Sequence, residues 1–269
     1  MKKIFMAALL LLMLTLTSCG GDKQESKNVS SMKYSKVIVI GLDDEFAPMG
    51  FRNEQNEIVG FDVDLAKEAA KRLGVEFEFK PIAWDKKAQE LQVRNIDIIW
   101  NGFDITPERR EHVLYSKPYM DNRQILLVRR GNRQNIRSIY DIEGKVVGTQ
   151  AGSTAEGYVE QDDALKNIFG EFKTYDTYKN AFKALEGGEL DVLICDEIVA
   201  RYEAIHSVDK FEAVGITIGP VTEFGIGFRK DDIELRNKVQ KVFDDMIRDG
   251  TAKEISERWF QADLINSRR

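Results

Sequence analysis

Short apolar strands alternate with amphipathic helices along most of this 269-residue chain. Val37 to Ile40 is rich in β-branched residues and predicts a strand, whereas the apolar residues from Gly60 to Gly74 recur one helical turn apart and end at a glycine. Val75 to Lys80 alternates like a strand, Asp85 to Val93 is helical, and Ile96 to Trp100 has the composition of a buried strand. Successive units of this kind predict a parallel β-sheet covered by helices.

The same alternation starts again at Ile125 to Arg129, which predicts a second set of elements. Further strands are predicted at Lys145 to Thr149, Phe172 to Tyr175 and Val192 to Cys195, with helices at Thr154 to Asp163, Tyr178 to Leu185 and from about Glu197. The pattern continues with a strand at Phe224 to Phe228 and helices at Ile233 to Asp249 and Lys253 to Trp259. The sequence therefore predicts an α/β fold of two Rossmann-like lobes.

The N-terminal segment is typical of a secretory signal peptide. Two lysines precede the apolar run Ile4 to Leu16, and small residues stand just before Cys19. Leu16-Thr17-Ser18-Cys19 matches the bacterial lipobox, in which the cysteine is acylated and becomes the new N-terminus. The alternative is a transmembrane helix, but 13 residues are fewer than the roughly 20 that cross a bilayer. We predict a signal peptide over residues 1–18, palmitate-type lipidation of Cys19 and a polar, flexible tether over residues 19–35.

Charge and cysteine content exclude several classes of protein. Removing the signal peptide removes Lys2 and Lys3, so the formal charge changes from −6 to −8. So acidic a chain is a poor binder of nucleic acid, because affinity for phosphates comes from Lys and Arg. Cys195 has no second cysteine to pair with once Cys19 is lipidated, and two distant histidines do not make a zinc site. No disulfide, metal or cofactor is expected.

A short motif, Asn101-Gly102-Phe103-Asp104-Ile105-Thr106-Pro107-Glu108-Arg109, follows the strand at Ile96 to Trp100. A glycine turn with an arginine a few residues on can bring backbone N–H groups and a guanidinium together at one carboxylate. The motif resembles the signature of the polar amino-acid-binding proteins that feed ABC importers, family 3 of the solute-binding proteins. The resemblance covers nearly everything from about Ser35 to Phe260.

The resemblance implies a type 2 periplasmic-binding-protein fold, in which the chain crosses between the lobes twice. The crossovers are expected near residues 121–124 and 221–223, so that residues 36–122 and 222–269 form the first lobe and residues 123–221 the second. The C-terminal helices would then pack back on the first lobe. Two extended hinge segments permit closure of the lobes around a ligand.

The resemblance also assigns the groups that would hold the ligand's α-carboxylate. Arg109 stands where the family uses an arginine for it, although an arginine in the charged run from Glu108 to Glu111 could also be solvated. Gly102 would allow close approach of the backbone. From the other lobe, Ser153 and Thr154 would add their hydroxyls and the free N–H groups of a helix start. Ser153 could equally be an N-cap.

Three acidic residues and two aromatic rings complete the predicted contacts. Asp196 follows a buried strand and is expected to accept the α-ammonium, with a helix N-cap as the alternative. Asp43 lines up with an aspartate that reads the ligand side chain in related binders, and Asp44 competes for that role. Phe46 and Trp84 resemble rings that sandwich the ligand's aliphatic stem, although either could be core. The full predicted ligand-binding set is Asp43, Phe46, Trp84, Asn101, Gly102, Asp104, Arg109, Gln150, Ser153, Thr154 and Asp196.

Asp104 departs from the commonest family pattern, which has Thr or Ser there, and resembles arginine-binding members. Arg109 brings one positive charge against Asp43, Asp104 and Asp196. A neutral zwitterion leaves two carboxylates uncompensated, whereas a cationic side chain leaves one, and a buried unpaired charge costs several kcal/mol in order of magnitude. Arginine, lysine or ornithine is therefore the expected ligand, with glutamine or cystine as alternatives.

The resulting hypothesis is a monomeric, extracytoplasmic receptor, lipid-anchored to a membrane, that delivers a free amino acid to an ABC permease and its ATPase. It performs no chemistry. An enzyme on the same scaffold, dehydratase-like or peptidoglycan-cleaving, is the alternative, with Glu156 or Glu197 as acid or base. No Ser/His/Asp set, phosphate loop or metal spacing supports it. The sensor module of a larger receptor is disfavoured, because no second membrane span or signalling domain is recognised.

Overall fold

The computed structural model describes residues 37–266, and strands and helices alternate along them. The predicted signal peptide, the lipidation of Cys19 and the tether to residue 35 lie outside the described residues. Within residues 37–266, no helix combines the length and the apolar character needed to cross a membrane.

The first lobe is built on a five-stranded sheet in the order β5-β1-β6-β13-β7. Its strands are β1 (Ile38–Leu42), β5 (Phe77–Pro81), β6 (Ile98–Ile99), β7 (Val113–Tyr115) and β13 (Gly227–Arg229). The predicted parallel pairing holds for β5, β1 and β6, but β13 runs antiparallel to both of its neighbours. The sheet is mixed because β13 enters from the second lobe and does not complete a strand–helix–strand unit.

In the described part of the chain, this sheet is covered by α1 (Phe61–Leu73), α2 (Lys87–Gln92), α3 (Pro107–His112) and α8 (Ile233–Arg248), and α9 (Thr251–Phe260) packs on α1 and α8. Helix α1 buries Phe61, Leu65 and Ala69 one turn apart, as its periodicity predicts, and ends at Gly74 in the left-handed conformation. The predicted helix at Asp85 to Val93 is a 3-10 turn (Trp84–Lys86) followed by α2.

The second lobe has a sheet in the order β10-β9-β11-β8-β12. Its strands are β8 (Met120–Arg129), β9 (Val146–Gln150), β10 (Glu171–Tyr175), β11 (Val192–Asp196) and β12 (Phe211–Phe224), and its helices are α4 (Thr154–Gln161), α5 (Asp163–Ile168), α6 (Tyr178–Gly187) and α7 (Glu197–His206). Strands β10, β9 and β11 are parallel, and β8 and β12 are antiparallel. The helix predicted at Thr154 to Asp163 begins as predicted but ends at Gln161, because Asp162 interrupts it and caps α5, a helix that was not predicted.

The strand predicted at Phe224 to Phe228 is also wrong. Strand β12 ends at Phe224 and β13 begins at Gly227, because the backbone between them bonds elsewhere. Gly225 N–H donates to the Phe103 carbonyl at 2.9 Å, and Ile226 N–H donates to Ser116 Oγ at 2.9 Å. A small sheet of β2 (Glu45–Phe46), β3 (Gly50–Arg52) and β4 (Ile58–Val59) was not predicted.

Strands β8 and β12 form a long antiparallel ribbon in which Thr222 pairs with Asn122 and Phe224 pairs with Met120. The crossovers expected near residues 121–124 and 221–223 fall in this ribbon, and the lobe boundaries at these positions remain predictions. Helices α8 and α9 pack on α1 of the first lobe, where the Phe61 and Phe260 rings lie 4.9 Å apart. In the ribbon, the backbones of β8 and β12 run side by side from one sheet to the other.

Candidate ligand-binding site

A small cavity of about 10 Å³ lies where the two lobes meet. Its lining residues are Phe46, Trp84, Gly102, Asp104, Arg109, Gln150, Ser153, Thr154, Tyr178 and Asp196. Nine of the eleven predicted residues are among them; Asp43 and Asn101 are not, and Tyr178 was missed. Wider surface depressions of about 600 and 570 Å³ hold none of the predicted residues. The small cavity is the candidate site because it alone of these three gathers buried charges at strand ends.

The lobes are closed on each other around this cavity. Gln150 of the second lobe donates to Asp43 of the first at 2.6 Å, and Lys179 pairs with Glu45 at 2.8 Å. The remaining space is about that of one water molecule. A molecule of the size of an amino acid therefore requires the lobes to separate or the lining side chains to move.

Arg109 reaches from α3 across to the second lobe. Its Nη1 donates to the Asp104 carbonyl at 3.2 Å and to Thr154 Oγ1 at 3.1 Å, and its Nη2 donates to the Gly152 carbonyl at 3.1 Å. The guanidinium also lies 5.0 Å from the Phe103 ring centre. These hydrogen-bond acceptors are all neutral, and the neighbouring Arg110 is exposed. Arg109 is therefore the arginine of this run that faces the cavity.

The glycine turn is held from behind by a buried carboxylate. Gly102, at φ +54°, donates its N–H to Asp62 Oδ2 at 2.6 Å, and the Tyr119 hydroxyl donates to the same carboxylate at 2.9 Å. Burial raises the pKa of Asp62 to about 7. A Cβ at Gly102 would lie 2.7 Å from the Phe46 ring, so the close approach at this glycine is to Phe46. The Gly102 N–H already has an acceptor, unlike the free N–H groups that the motif suggested.

Asp104 and Asp196 lie together at the other end of the cavity, and both are buried. Asn122 Nδ2 donates to the Asp104 carboxylate at 3.0 and 3.1 Å and to Asp196 at 2.5 Å. Gln124 Nε2 donates to Asp196 at 2.8 Å. Burial, and then the neighbouring Asp104, raise the pKa of Asp196 to about 7. Two amides thus hold a pair of carboxylates to which no cationic side chain of residues 37–266 is directly bonded.

Asp104 also accepts from the Thr154 and Thr222 hydroxyls, each at 2.6 Å. Burial raises the pKa of Asp104, and the Arg109 guanidinium acts in the opposite direction. The sequence analysis missed Asn122, Gln124 and Thr222. Their position in the expected crossovers could have identified them as site residues, since a crossover passes beside any site between two lobes.

Asp196 ends β11 and occupies the N-cap position of α7, but its side chain caps no N–H of that helix. Its carboxylate turns towards the amides of the crossover strand and towards the Tyr178 hydroxyl, which lies 3.4 Å away. The side chain is therefore part of the cavity wall and not a helix cap.

The start of α4 is more occupied than predicted. Ser153 is an N-cap and accepts the Glu156 N–H at 3.0 Å, while its own N–H donates to the Gln150 carbonyl at 3.2 Å. Gly152 N–H donates to Glu156 Oε2 at 2.6 Å.

Glu156 is one of the two acids considered for catalysis. The other, Glu197, pairs with Arg123 and Arg201. Both candidate catalytic carboxylates thus have structural partners.

Asp43 lies beside the cavity without lining it. Its Oδ2 accepts from Gln150 and its Oδ1 accepts the Glu45 N–H at 2.9 Å, and burial raises its pKa to about 6. Asn101 holds this segment by accepting the Asp43 N–H at 3.0 Å. Asp44, the competing acid, pairs with Arg52 at 2.5 Å. Of the two acids, Asp43 faces the cleft.

The two predicted rings both line the cavity and both pack on other rings. Phe46 stacks on Tyr178 of the second lobe with ring centres 5.7 Å apart, and Trp84 meets Phe103 edge-on at 5.9 Å. Each ring is therefore part of the cavity wall and also packs in the core.

Lys87 is a buried cation that the sequence analysis missed. Its Nζ donates to the Trp84 carbonyl at 2.9 Å and to the Gly152 carbonyl at 2.7 Å. Burial, and then the Arg109 cation, lower its pKa. In the sequence it stands beside the exposed Lys86, and nothing in the pattern separates the two lysines.

The site is therefore polarised. Arg109 forms a cationic end, with Lys87 behind it on the same Gly152 carbonyl, Asp104 and Asp196 form an anionic end, and the rings of Phe46 and Trp84 lie on the cavity wall. Such an arrangement complements a zwitterion that carries a carboxylate at one side and an ammonium at the other.

Comparisons with known proteins agree with this chemistry. The family of bacterial extracellular solute-binding proteins, family 3, matches residues 38–262. The L-cystine-binding protein TcyJ of Escherichia coli K12 is 30% identical over 237 residues, 88% of this chain and 87% of that protein. The ABC transporter arginine-binding protein 1 of the same organism is 29% identical over 268 residues, 97% of this chain and 99% of that protein.

Among solved structures, an ABC uptake transporter substrate-binding protein from Streptococcus pneumoniae with bound histidine superposes with a TM-score of 0.81. It is 35% identical, and the match covers 86% of this chain and 94% of that one. These similar proteins bind three different amino acids, so the comparisons agree on the class of ligand and differ on its side chain.

Proposed function

We propose that this chain, which belongs to the bacterial extracellular solute-binding proteins of family 3 and has their type 2 periplasmic-binding fold, binds a free cationic amino acid between its lobes and delivers it to an ABC permease. The observation that carries the proposal is the polarised cavity. Arg109 and the hydroxyl of Thr154 would hold the α-carboxylate, and Asp104 and Asp196 would hold the α-ammonium. The relatives with bound or named amino acids support the same ligand class.

The charge balance supports a cationic side chain. Lys87 adds a positive charge that was missing from the count made on the sequence, so two cations stand against three buried aspartates, Asp43, Asp104 and Asp196. With all five groups ionised, a zwitterion leaves one carboxylate uncompensated, whereas arginine, lysine or ornithine neutralises the site. Because an unpaired buried charge costs several kcal/mol in order of magnitude, the cationic ligands are favoured.

A neutral ligand such as glutamine, or cystine, is the alternative. It is favoured by one observation: Asp43 already accepts from Gln150 and from the Glu45 N–H and lies outside the cavity wall. A cationic side chain would have to displace the Gln150 amide, whereas a neutral one could leave it in place.

The proposal extends to the cell envelope. The lipobox at Leu16 to Cys19 supports cleavage after residue 18 and lipidation of Cys19, so that the receptor is anchored at the outer face of a membrane and works with a permease and its ATPase. It acts as a monomer and not as an enzyme. The structural partners of Glu156 and Glu197 support a role without catalysis.

A thermal-shift screen of the purified mature protein against the common amino acids and cystine tests the proposal. A ligand that binds only the folded state at about 100 times its dissociation constant stabilises that state by roughly 2.7 kcal/mol. We expect the largest shifts with arginine, lysine or ornithine. A shift confined to glutamine or cystine would replace the cationic assignment, and no shift with any of these compounds would overturn the receptor function.

A further inference from the structure

Lys87 makes an unusual contact between the lobes. It is the first residue of α2 in the first lobe, and its ammonium donates to the carbonyl of Gly152, which lies in the loop between β9 and α4 of the second. The side chain is 6% exposed, with its Nζ 4.8 Å from the Trp84 ring centre. None of the ion pairs formed among residues 37–266 includes it. The hydrogen bonds of this buried lysine reach only carbonyl oxygens, and the carboxylates of Asp85, Glu156 and Glu108 act on it from beyond ion-pair distance.

The same carbonyl also accepts from Arg109, at 3.1 Å. Two cations of the first lobe therefore converge on one neutral oxygen of the second. The carbonyl dipole attracts both, but the cations repel each other across a short distance in a poorly hydrated place. Neither cation forms an ion pair with a carboxylate of residues 37–266, so a carboxylate bound at Arg109 would be the first anion bonded to this pair.

The backbone at Gly152 lies tightly against the first lobe. Gly152 has φ +73°, and a Cβ there would lie 2.6 Å from Asp85 Cα and 3.1 Å from Lys87 Nζ. No side chain fits between the loop and the first lobe while the cleft is closed. The contact of Lys87 with Gly152 therefore forms only in the closed arrangement, and opening of the cleft returns the ammonium to water.

We propose that Lys87 is a positioning residue that couples the ligand's carboxylate to closure of the lobes. A carboxylate held by Arg109 supplies a directly bonded negative charge beside the two cations, and with it in place the ammonium holds the Gly152 loop against the first lobe. Without it, the convergence of two cations opposes the same contact. The inference rests on the proposed function, since it requires that an α-carboxylate binds at Arg109.

Closure can be measured directly by small-angle X-ray scattering, and the lifetime of the closed complex by the ligand dissociation rate. The probes are L-arginine and L-glutamine, each compared with its α-carboxamide, which keeps the side chain and the ammonium but lacks the negative charge. For the wild type we expect compaction with the amino acid and little with the amide. For Lys87→Met we expect dissociation to be at least tenfold faster, association to change less than threefold, and compaction to be incomplete.

Two further variants serve as controls for Lys87→Met. Lys86→Met removes the adjacent exposed lysine, which pairs with Asp85 at 3.1 Å, and should behave as the wild type does. Gly152→Ala leaves every ligand-facing side chain in place but should also prevent full compaction, because its Cβ meets the first lobe. Thermal unfolding without ligand shows whether each variant is folded, and Lys87→Met should be no less stable than the wild type, since it no longer buries a charge.

The outcomes separate the two proposals. Wild-type binding together with unchanged dissociation and full compaction in Lys87→Met would overturn the role of Lys87 alone. Equal compaction of the wild type by an amino acid and its amide would also overturn it. Failure of the wild type to bind any amino acid would overturn the proposed function, and the role of Lys87 with it.

Discussion

Asp104 and Asp196 both accept from the side-chain amide of Asn122, whose nitrogen lies 3.0 Å from the first carboxylate and 2.5 Å from the second. One residue comes from the first lobe and the other from the end of a strand in the second, so the shared amide joins the lobes at the anionic end of the cavity. Like charges this close do not ionise independently.

The affinity for an amino acid should therefore fall as the pH falls. The pKa of Asp196 is raised to about 7 by burial and by Asp104, and a bound α-ammonium favours the ionised form. Below that pKa the ligand must displace a proton, which weakens binding by up to about tenfold per pH unit. Titration calorimetry between about pH 5.5 and 7.5, in buffers of different ionisation enthalpy, measures the affinity and the released proton. Constant affinity with no proton release would contradict the carboxylate pair as the ammonium site.

Replacing Arg109 by Ala should weaken binding at least thirtyfold. The ligand carboxylate would keep only neutral donors and Lys87 near it, and breaking a buried charge pair costs about 2–5 kcal/mol, where each 1.4 kcal/mol is about tenfold. The exposed neighbour gives the matched control, and Arg110→Ala should bind as the wild type does. The reverse result in calorimetry would assign the carboxylate to Arg110.

Asp43→Asn should weaken arginine or lysine far more than glutamine, because it removes a charge-assisted contact that a neutral side chain never makes. Its amide can still bond to Gln150, so the fold should tolerate the change. Calorimetry with arginine, lysine, glutamine and cystine measures the selectivity. An equal loss for all four ligands would show that Asp43 acts on closure and not on the side chain.

Asp104→Thr restores the residue that is commoner in the family and should narrow the difference in affinity between arginine and glutamine. The threonine hydroxyl can keep one of the contacts now made by Thr154 and Thr222. The charge is lost, so the anionic end retains Asp196. Calorimetry measures the affinities for both ligands. An unchanged ratio of the arginine affinity to the glutamine affinity would show that Asp104 does not determine ligand choice.

The ligand-free protein should lose stability as the pH rises from about 4 to above 7, and Asp62 should account for part of the loss. The pKa of this fully buried carboxyl is about 7 in the folded state, above its ordinary value of 3.8, so its contribution is complete below the lower value and is lost as the pH passes the higher one. The effect is on the order of 4 kcal/mol at most. Denaturant unfolding of Asp62→Asn at pH 5 and 8 should show a smaller decline than the wild type; an identical decline would rule Asp62 out.

Cys19→Ala should leave an uncleaved or mislocalised precursor, because the cysteine is the proposed acylation site. Cell fractionation and labelling with a fatty-acid analogue report the outcome. Cys195 is buried in the second lobe, so Cys195→Ala is the matched control and should keep both label and membrane location. Label that survives in Cys19→Ala would contradict the proposed anchor.

The elements with strong periodicity were predictable, and those whose pairing is decided by distant strands were not. Helix α1 carries its apolar face and its terminal glycine in the sequence, and the structure places both as predicted. Strand β12 was missed because Gly219-Pro220 looks like a turn. The proline is tolerated because β12 is an edge strand and its register shifts between Ile218 and Thr222.

The same division applies to the site. Arg109 and Asp196 follow strands and motifs that the sequence displays, whereas Lys87 differs from Lys86 only in the side of the turn on which it lies. Asn122 and Thr222 become part of the site only because two strands meet at the crossover. Asn122 lies 74 residues from Asp196 in the chain and Thr222 lies 118 residues from Asp104, and no local pattern encodes these two contacts.

The order of strands in the first sheet has a consequence for synthesis. Strand β13 joins β6 to β7, yet it follows all five strands of the second sheet in the chain. As the protein leaves the ribosome, the second lobe therefore has every strand it needs while the first is still in two pieces. Until residues 227–229 emerge, one side of β6 remains an unpaired strand edge, the kind of surface that chaperones protect. The lobe whose strands begin first is the last whose sheet can be completed.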